Sequence, residues 1–245
     1  MNSDATADDP ARALELLWGA RPRPRRGPRP GLSLEQVVAA AIEIVEGEGI
    51  AALSMRRVAQ HLGVGTASLY TYVPGRTELI ALMLDAMIAG ATLPHEVPGD
   101  WRKRVETWAR EDWADYRRHP WILQVTAERP LPGPNAMAWL DSAVRALEDT
   151  GLSEREKIDV VESVDGYVRG MARNTMEPTV ASDTWIASRD AFLGERVDFS
   201  RYPALARTLT AGHPDADEIF EFGLSRILDG VAALITLRAE RGQGS

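Results

Sequence analysis

The chain has 245 residues, and 44% of them are hydrophobic, which is enough for a sizeable core in one or two domains. It contains no cysteine, so disulfide bonds, thiol catalysis and thiolate metal sites are excluded. The longest apolar run, at residues 80–91, is interrupted by Asp85 and is too short to cross a bilayer, and the N-terminus lacks a signal-peptide pattern. We therefore expect a soluble, cytoplasmic protein.

The formal net charge of −8 is unevenly distributed along the chain. Residues 1–31 carry six arginines against four acidic residues, whereas residues 32–90 carry three arginines against six acidic residues. Residues 91–245 carry nineteen basic and twenty-six acidic residues. Because electrostatic interactions act locally, a basic surface near the N-terminus is compatible with a negative net charge of the whole protein.

The first 31 residues predict an arm rather than a folded domain. Residues 1–10 are polar and acidic and are predicted to be disordered, and residues 11–18 have the spacing of two helical turns, which we interpret as a weak docking segment. Residues 21–29 contain five arginines, no acid, and prolines that keep the backbone extended. This stretch is either a solvated linker or a basic arm that contacts DNA phosphates or a minor groove. We favour the DNA contact, because the arm leads directly into the motif described below. The candidate contacts are Arg23, Arg25 and Arg26.

A capping box predicts the start of the first helix of a folded domain. Ser33 is followed three residues later by Gln36, and an apolar stripe then extends to Gly47 and Gly49. We expect this helix to pack behind the next two helices and to fix their angle.

Residues 53–79 predict two short helices separated by a glycine. Gly63 supplies a left-handed backbone position between them. Two helices that meet at a steep angle across such a turn form a helix-turn-helix, whose second helix can enter a DNA major groove. The apolar positions of the two helices are Met55, Val58, Ala59 and Leu62, followed by Leu69, Tyr70 and Val73.

The outward positions of the second helix are small or hydrogen-bonding, and none is acidic. They are Thr66, Ala67, Ser68, Thr71 and Tyr72. Such a face can approach base edges and phosphates without charge repulsion. Arg56, on the preceding helix, is a further candidate for a base-edge or phosphate contact. The alternative is an ordinary helical hairpin, because isolated patterns of this kind are common.

The residues of this stretch also resemble the signature of the TetR family of transcriptional regulators. They are Leu53-Ser54, Val58-Ala59, Leu62-Gly63-Val64, Leu69-Tyr70, and Gly75-Arg76 followed by Leu79. The resemblance covers about residues 33 to 90, and the remainder is similar to tetracycline-repressor-type C-terminal domains in length and helical character. It implies that Arg76 binds a DNA phosphate and that the helix starting at Arg76 connects the DNA-binding domain to a regulatory domain. We expect Tyr72 to lie at a phosphate as well.

We predict an all-α protein with an N-terminal arm (1–31), a three-helix helix-turn-helix DNA-binding domain (32–78) with a connecting helix (76–91), and a C-terminal ligand-binding and dimerisation domain (92–241). The sequence contains no strand pattern and no internal repeat. Helices of the last domain are predicted at residues 101–118, 121–128, 135–148, 153–176, 184–192, 202–209 and 215–238.

Helices 153–176 and 215–238 have more apolar surface than one packed face requires. Gly223 and Gly230, seven residues apart, would allow close backbone approach. We expect these helices to form a four-helix interface in a homodimer, which the family resemblance also implies. A two-fold dimer places two recognition helices about one DNA turn apart, as a palindromic operator needs. The alternative is that both helices serve only the core of one chain.

Aromatic and polar residues are interleaved in the predicted C-terminal domain. Apolar walls with a few polar groups are typical of a small-molecule site. The candidate ligand-binding residues are Trp108, Asp112, Tyr116, Trp121, Gln124, Trp139, Asp165 and Arg169. Two alternatives stay open: the aromatics form ordinary core, and Asp165 and Arg169, four residues apart, form a helical ion pair.

No hydrolase, nucleotide-binding or metalloprotease motif is present, and the four histidines are scattered, so we expect no catalytic residue, cofactor or metal site. Tetracycline-type repressors bind a metal-chelated drug through histidines in their fourth and sixth helices. The corresponding stretches here have none, so a metal–tetracycline inducer is not expected. The sequence predicts a homodimeric repressor that binds a palindromic DNA operator and is released by a small, largely apolar ligand. The alternatives are a regulator whose second domain only dimerises, and a helical enzyme with a vestigial helix-turn-helix.

Overall fold

The computed structural model describes residues 10–19, 32–125, 131–175, 183–210 and 215–243. Within these ranges the chain is helical and has no strand, which confirms the all-α prediction. The helices are α1 (Pro10–Leu17), α2 (Leu34–Glu48), α3 (Met55–Leu62), α4 (Thr66–Leu69), α5 (Arg76–Ile88), α6 (Trp101–Arg118), α7 (Trp121–Val125), α8 (Pro134–Arg145), α9 (Glu154–Thr175), α10 (Asp183–Arg196), α11 (Pro203–Thr210) and α12 (Ala216–Gln243).

The first helix of the helix-turn-helix domain is capped as the sequence predicts. The Ser33 hydroxyl accepts a hydrogen bond from the Gln36 backbone N–H at 3.2 Å, and the Gln36 side chain accepts one from the Ser33 N–H at 2.8 Å. Together they satisfy two N–H groups that a helix start leaves without a partner. Helix α2 ends before Gly49, whose φ of 81° favours glycine.

The chain forms two compact units, which divide at Thr150. In the first unit, α5 is central, because α1, α2 and α8 all pack against it. The predicted border near residue 92, between the DNA-binding and the regulatory domain, stays a prediction; helix α8, which we assigned to the regulatory domain, packs against α5 within the first unit. Fully buried side chains of this core include Ile44, Val58, Leu69 and Leu79.

Residues 10–17 form a docked helix, as the helical spacing of residues 11–18 predicted, so this part of the segment that we assigned to the N-terminal arm (1–31) is folded. Ala13, Leu16 and Leu17 are buried, and α1 packs along α5. Trp18 remains 54% exposed, but its indole N–H donates to the Pro132 carbonyl at 3.1 Å. Three apolar residues at helical spacing are enough to hold this helix, because they cover apolar surface that α5 would otherwise expose to water.

In the second unit, α9 packs against α12. The Tyr167 hydroxyl donates to the main-chain carbonyls of Phe220 at 2.9 Å and Ile219 at 3.1 Å. Arg238 forms an ion pair with Glu156, which also accepts a hydrogen bond from the Ser153 N–H at 2.9 Å. The Tyr167 hydrogen bonds and the Arg238–Glu156 ion pair thus connect α9 and α12, the two helices that we predicted to form the dimer interface.

Gly223 has a different role from the one predicted for it. A Cβ atom at this position would lie 2.2 Å from Tyr167 Oη, so the glycine admits a side chain of the same protomer. At Gly230, by contrast, no described atom lies within 4 Å of the Cβ position. Of the two glycines, Gly230 is therefore the one left open on the surface of α12.

Candidate functional site

The two short helices and their glycine turn fold as the sequence predicts. The Ser54 hydroxyl caps α3 by accepting from the Arg57 N–H at 3.2 Å. Helix α3 ends at Leu62, its C-cap Gly63 has a left-handed φ of 68° and ψ of 28°, and α4 starts three residues after that glycine, at Thr66. The inward side chains of α3 and α4 are buried in one core, so their relative angle is fixed by packing.

The outward face of α4 matches the prediction at three of five positions. Ala67, Ser68 and Thr71 are exposed, and Thr66 is half-buried. The Thr71 hydroxyl donates to the Ser68 carbonyl at 2.7 Å, which leaves the hydroxyl oxygen free to accept but not to donate.

The two tyrosines after α4 are placed opposite to the prediction. Tyr70, assigned to the inward face, is 51% exposed, whereas Tyr72, assigned to the DNA face, packs against the core and is half-buried. The reason is local: α4 ends at Leu69 and residues 70–72 form a turn, so helical periodicity does not extend to them. Tyr70 is thus an exposed aromatic side chain that the sequence analysis missed.

Neighbouring arginines on α3 have different surroundings. Arg56 is exposed and makes no side-chain hydrogen bond to a described residue. Arg57 instead forms an ion pair with Glu48 of α2, and its Nε donates to Glu48 Oε2 at 3.2 Å. The hydrogen bond from Arg57 lowers the pKa of the Glu48 carboxyl, and Glu48 in turn raises the pKa of Arg57. Of the two, Arg56 is the cation available to a DNA phosphate.

The Arg76 side chain is hydrogen-bonded to the segment that precedes the helix-turn-helix. Its Nε donates to the Leu53 carbonyl at 3.1 Å and its Nη2 to the Ile50 carbonyl at 3.2 Å. These carbonyls lie just before α3, so the guanidinium connects the first residue of α5 to the segment that leads into α3. The residue is nevertheless exposed. Arg23, Arg25 and Arg26 of the predicted arm lie outside the described residues.

Two of the predicted ligand-binding aromatics come together in the first unit. Trp108 of α6 stacks on Trp139 of α8 with ring centroids 4.7 Å apart and an interplanar angle of 27°. Trp108 is 3% exposed, and its indole N–H is a buried side-chain polar group without a hydrogen-bond partner among the described residues. A buried donor without an acceptor costs about 1–3 kcal/mol. The pair thus presents an aromatic surface with an unused donor.

Three of the other candidates, Trp121, Asp165 and Arg169, have hydrogen-bond partners away from this pair. Trp121 is buried in the core beneath α2, where its indole N–H donates to Glu46 Oε1 at 2.6 Å. Gln124 is exposed, and Asp112 and Tyr116 are half-buried on α6. Asp165 and Arg169 lie in the second unit and pair with each other at 2.8 Å, which is the helical ion pair that we considered as the alternative.

Sequence profiles agree with this architecture. The profile described as "Tetracyclin repressor-like, C-terminal domain" matches residues 93–235, and that described as "Bacterial regulatory proteins, tetR family" matches residues 37–83. The first covers more than half of the chain. The chain belongs to the TetR family of transcriptional regulators. As a TetR family member it is a DNA-binding transcription regulator.

Proteins similar to this TetR family regulator include a repressor and a protein that was solved with bound ligands. It is 43% identical to the HTH-type transcriptional repressor DrrR1 of Streptomyces coeruleorubidus, over 97% of this chain and 90% of that protein. It is similar to the Streptomyces coelicolor TetR family protein ActR, solved in complex with actinorhodin, at 27% identity and a TM-score of 0.73 over 83% of this chain and 96% of that one. ActR in complex with (S)-DNPA matches at 28% identity and a TM-score of 0.70, over 83% of this chain and 98% of that one.

Two further features concern the described ranges of this TetR family regulator. No helix there is long and apolar enough to cross a membrane. In the same ranges, no three or more histidine, aspartate or glutamate side chains group closely enough to hold a metal ion.

Proposed function

We propose that this TetR family regulator is a homodimeric repressor that binds a palindromic operator through α4 and is released by a small, largely apolar ligand. One observation carries the DNA-binding half: an exposed face without acidic side chains on a helix whose angle is fixed by a buried core. Ala67 and Ser68 of α4 and Thr71 of the turn that follows form that face, with Tyr70 exposed beside them. Short polar side chains at a groove wall are suited to base-edge contacts.

Phosphate contacts come from the residues around α4. Arg56 is exposed without a described side-chain partner, so it is the first candidate. Arg76 is exposed, but two of its guanidinium nitrogens donate to backbone carbonyls before α3. It therefore holds the start of the helix-turn-helix in place, and its remaining N–H groups contact a phosphate. Tyr72 and Thr66, being half-buried, contribute less than the sequence suggests, and Arg23, Arg25 and Arg26 supply the arm contacts.

The proposed dimer interface is the exposed surface of α9 and α12. Along α12, exposed Ile219, Phe222 and Leu237 recur at helical spacing around the open Gly230. On α9, Ser163, Gly166 and Gly170 are exposed small residues, which would admit a close neighbour. Apolar side chains facing small residues are typical of helix–helix interfaces. Two-fold pairing through these faces also presents two copies of α4 to a palindrome.

The ligand half of the proposal is supported by Trp108. Its N–H has no acceptor among the described residues, and an acceptor atom on a bound molecule would relieve the cost of that burial. The stacked Trp139 supplies an aromatic wall. ActR, to which this chain is similar, was solved in complex with actinorhodin and with (S)-DNPA, which supports a ligand site in this fold. We therefore propose an aromatic ligand with a hydrogen-bond acceptor at its edge, with Trp108 and Trp139 as contacts and Asp112 and Tyr116 nearby on α6.

Selection from randomised DNA tests the operator. The proposal expects an inverted repeat whose half-sites are separated by about one helical turn. Substitution of Ser68 or Thr71 should change which sequences are enriched, because these side chains face the bases. Enrichment of no repeat would contradict the proposed function.

A panel of aromatic compounds, with actinorhodin tested beside them, examines the ligand half of the proposal. Binding should raise the melting temperature, by mass action on the folded state, and quench tryptophan fluorescence. Trp108→Phe keeps an aromatic ring and removes the N–H, so it should preserve operator binding and weaken release by the ligand. If no compound binds, the alternative is favoured, in which the second domain only dimerises.

A further inference from the structure

A buried carboxylate joins α5 to the start of α8. Asp85 of α5 is only 7% exposed, and a buried charge is costly unless it is hydrogen-bonded. Its hydrogen-bond partners among the described residues come from the first turn of α8. The Ala136 backbone N–H donates to Oδ1 at 3.0 Å, and the Asn135 side-chain amide donates to Oδ2 at 2.9 Å. The Asn135 backbone N–H lies 3.4 Å from Oδ2, and its side-chain amide also donates to the Asp85 carbonyl at 3.2 Å.

Helix α8 lacks a cap of its own. Its N-cap residue is Gly133, which has no side chain, and its first residue is Pro134, which has no N–H. The next two backbone N–H groups, of Asn135 and Ala136, are directed to Asp85. Asp85 of α5 therefore accepts the hydrogen bonds that an N-cap side chain of α8 would otherwise accept. The positive end of the α8 dipole also favours the negatively charged carboxylate.

Gly133 and Asp85 are matched in shape. A Cβ atom on Gly133 would lie 2.3 Å from both Cγ and Oδ1 of Asp85, so any side chain there would displace the carboxylate. The residue before it, Pro132, accepts the hydrogen bond from Trp18 at the end of α1. We call Asp85, Gly133, Asn135 and Ala136 the α5–α8 joint; α1 packs along α5 beside it.

We propose that Asp85 is a positioning residue for operator binding, through which α8 holds α5 and the recognition segment in place. This rests on the proposed function, because it requires an operator. Helix α5 begins at Arg76, which is bonded to the segment before α3, so a displacement of α5 is transmitted to the helix-turn-helix. Moving α8 away from Asp85 would leave a buried charge unpaired. The joint therefore has one favourable arrangement, and movement of α8 carries α5 with it.

The first test compares operator affinity in two variants. Asp85→Asn keeps the size of the side chain, but it removes the charge and sets an amide against the donors of Asn135. Asp141→Asn, at an exposed position on α8, is the matched control. We expect the Asp85 variant to bind the selected operator about tenfold more weakly, as for the loss of one charge-assisted contact, with no change in the control. Equal affinities of the Asp85 variant and the wild type would overturn the proposal.

The second test separates positioning from loss of fold. Asn135→Asp alone sets two carboxylates together and should also lose operator affinity. The exchange Asp85→Asn/Asn135→Asp restores one donor–acceptor pair across the joint, so it should recover most of the affinity. If the exchange binds no better than the worse single variant, the joint does not position α5.

The third test measures the position itself. Because the chain has no cysteine, Gln60→Cys on α3 and Arg145→Cys on α8 introduce two unique spin-label sites at exposed positions. The distance between them, measured within one protomer diluted by unlabelled chain, should broaden in Asp85→Asn while far-UV circular dichroism is retained. An unchanged distribution together with weakened binding would overturn the positioning role. A wild-type chain that selects no operator would count against the proposed function instead.

Discussion

Replacing Gly223 with alanine tests how tightly α9 and α12 pack. The new Cβ would lie 2.2 Å from Tyr167 Oη, 2.6 Å from Cζ and 2.8 Å from Cε2, all far inside van der Waals contact. The ring therefore has to move. Its hydroxyl is hydrogen-bonded to the Phe220 and Ile219 carbonyls of α12, so any movement that relieves the clash weakens these bonds.

The expected cost follows from three contributions. Forcing a methyl group into a filled space costs about 1–3 kcal/mol. Loss of the tyrosine hydrogen bond costs about 1 kcal/mol more. Alanine in a helix interior returns about 0.5–1 kcal/mol relative to glycine. We therefore expect Gly223→Ala to lower the free energy of unfolding by about 2 kcal/mol.

Urea unfolding followed by far-UV circular dichroism, at one protein concentration, measures this change. Gly47→Ala in α2 is the matched control, because no described atom lies within 4 Å of its Cβ position, and it should stabilise by about 0.5–1 kcal/mol. On a Tyr167→Ala background, Gly223→Ala should no longer destabilise. If Gly223→Ala were as harmless as the control in the wild-type background, the close packing of Tyr167 would be refuted.

Three further predictions concern DNA, the dimer and pH. Arg56→Ala should weaken operator binding and reduce the slope of log affinity against log salt concentration by about 0.9. Arg57→Ala should lower the melting temperature and leave this slope unchanged, because the Arg57 guanidinium is paired with Glu48. Equal changes in slope for the two variants would contradict the prediction. Gly230→Leu should yield monomers in sedimentation, and a persistent dimer would exclude α12 at this position from the interface. Glu156→Gln should lower the melting temperature at neutral pH. Hydrogen bonds led by that from Arg238 lower the pKa of Glu156 to about 2, so the ion pair stabilises fully above the ordinary pKa of 4.5 and is lost as pH falls towards 2. The gap between variant and wild type should close over that range, and a constant gap would rule out the linkage.

Much of the fold was predictable because its signals are local. The capping box at Ser33 and Gln36 and the left-handed turn at Gly63 depend on residues within one turn of each other, and both have the expected geometry. Apolar spacing predicted α6, α8, α9 and α12 to within a few residues, except that α12 extends to Gln243. The spacing failed where a helix was too short to maintain it, as at Tyr70 and Tyr72 after the four-residue α4.

The parts that sequence did not predict depend on partners far along the chain. Gly223 admits Tyr167, 56 positions earlier in the sequence, and Trp121 donates to Glu46, so neither role has a local pattern. Asp85 did leave a signal. An acidic residue inside an otherwise apolar run has to be either exposed or paired, and its burial requires donors from elsewhere. The sequence could indicate the need for a partner, but not that α8 supplies it.

The acidic composition of residues 32–90 is explained by the same long-range pairing. The three acidic side chains in the second half of α2 all have partners: Glu43 contacts His61 at 2.9 Å, Glu46 contacts His119 at 2.7 Å, and Glu48 is paired with Arg57. Of these partners, the cationic Arg57 weakens the field that the Glu48 carboxylate projects to a distance. Because the Arg57 guanidinium is paired with Glu48, few arginine side chains of the helix-turn-helix are available to bind DNA phosphates. Its affinity for DNA should then rest on groove contacts, on Arg56 and on the basic arm, more than on overall charge.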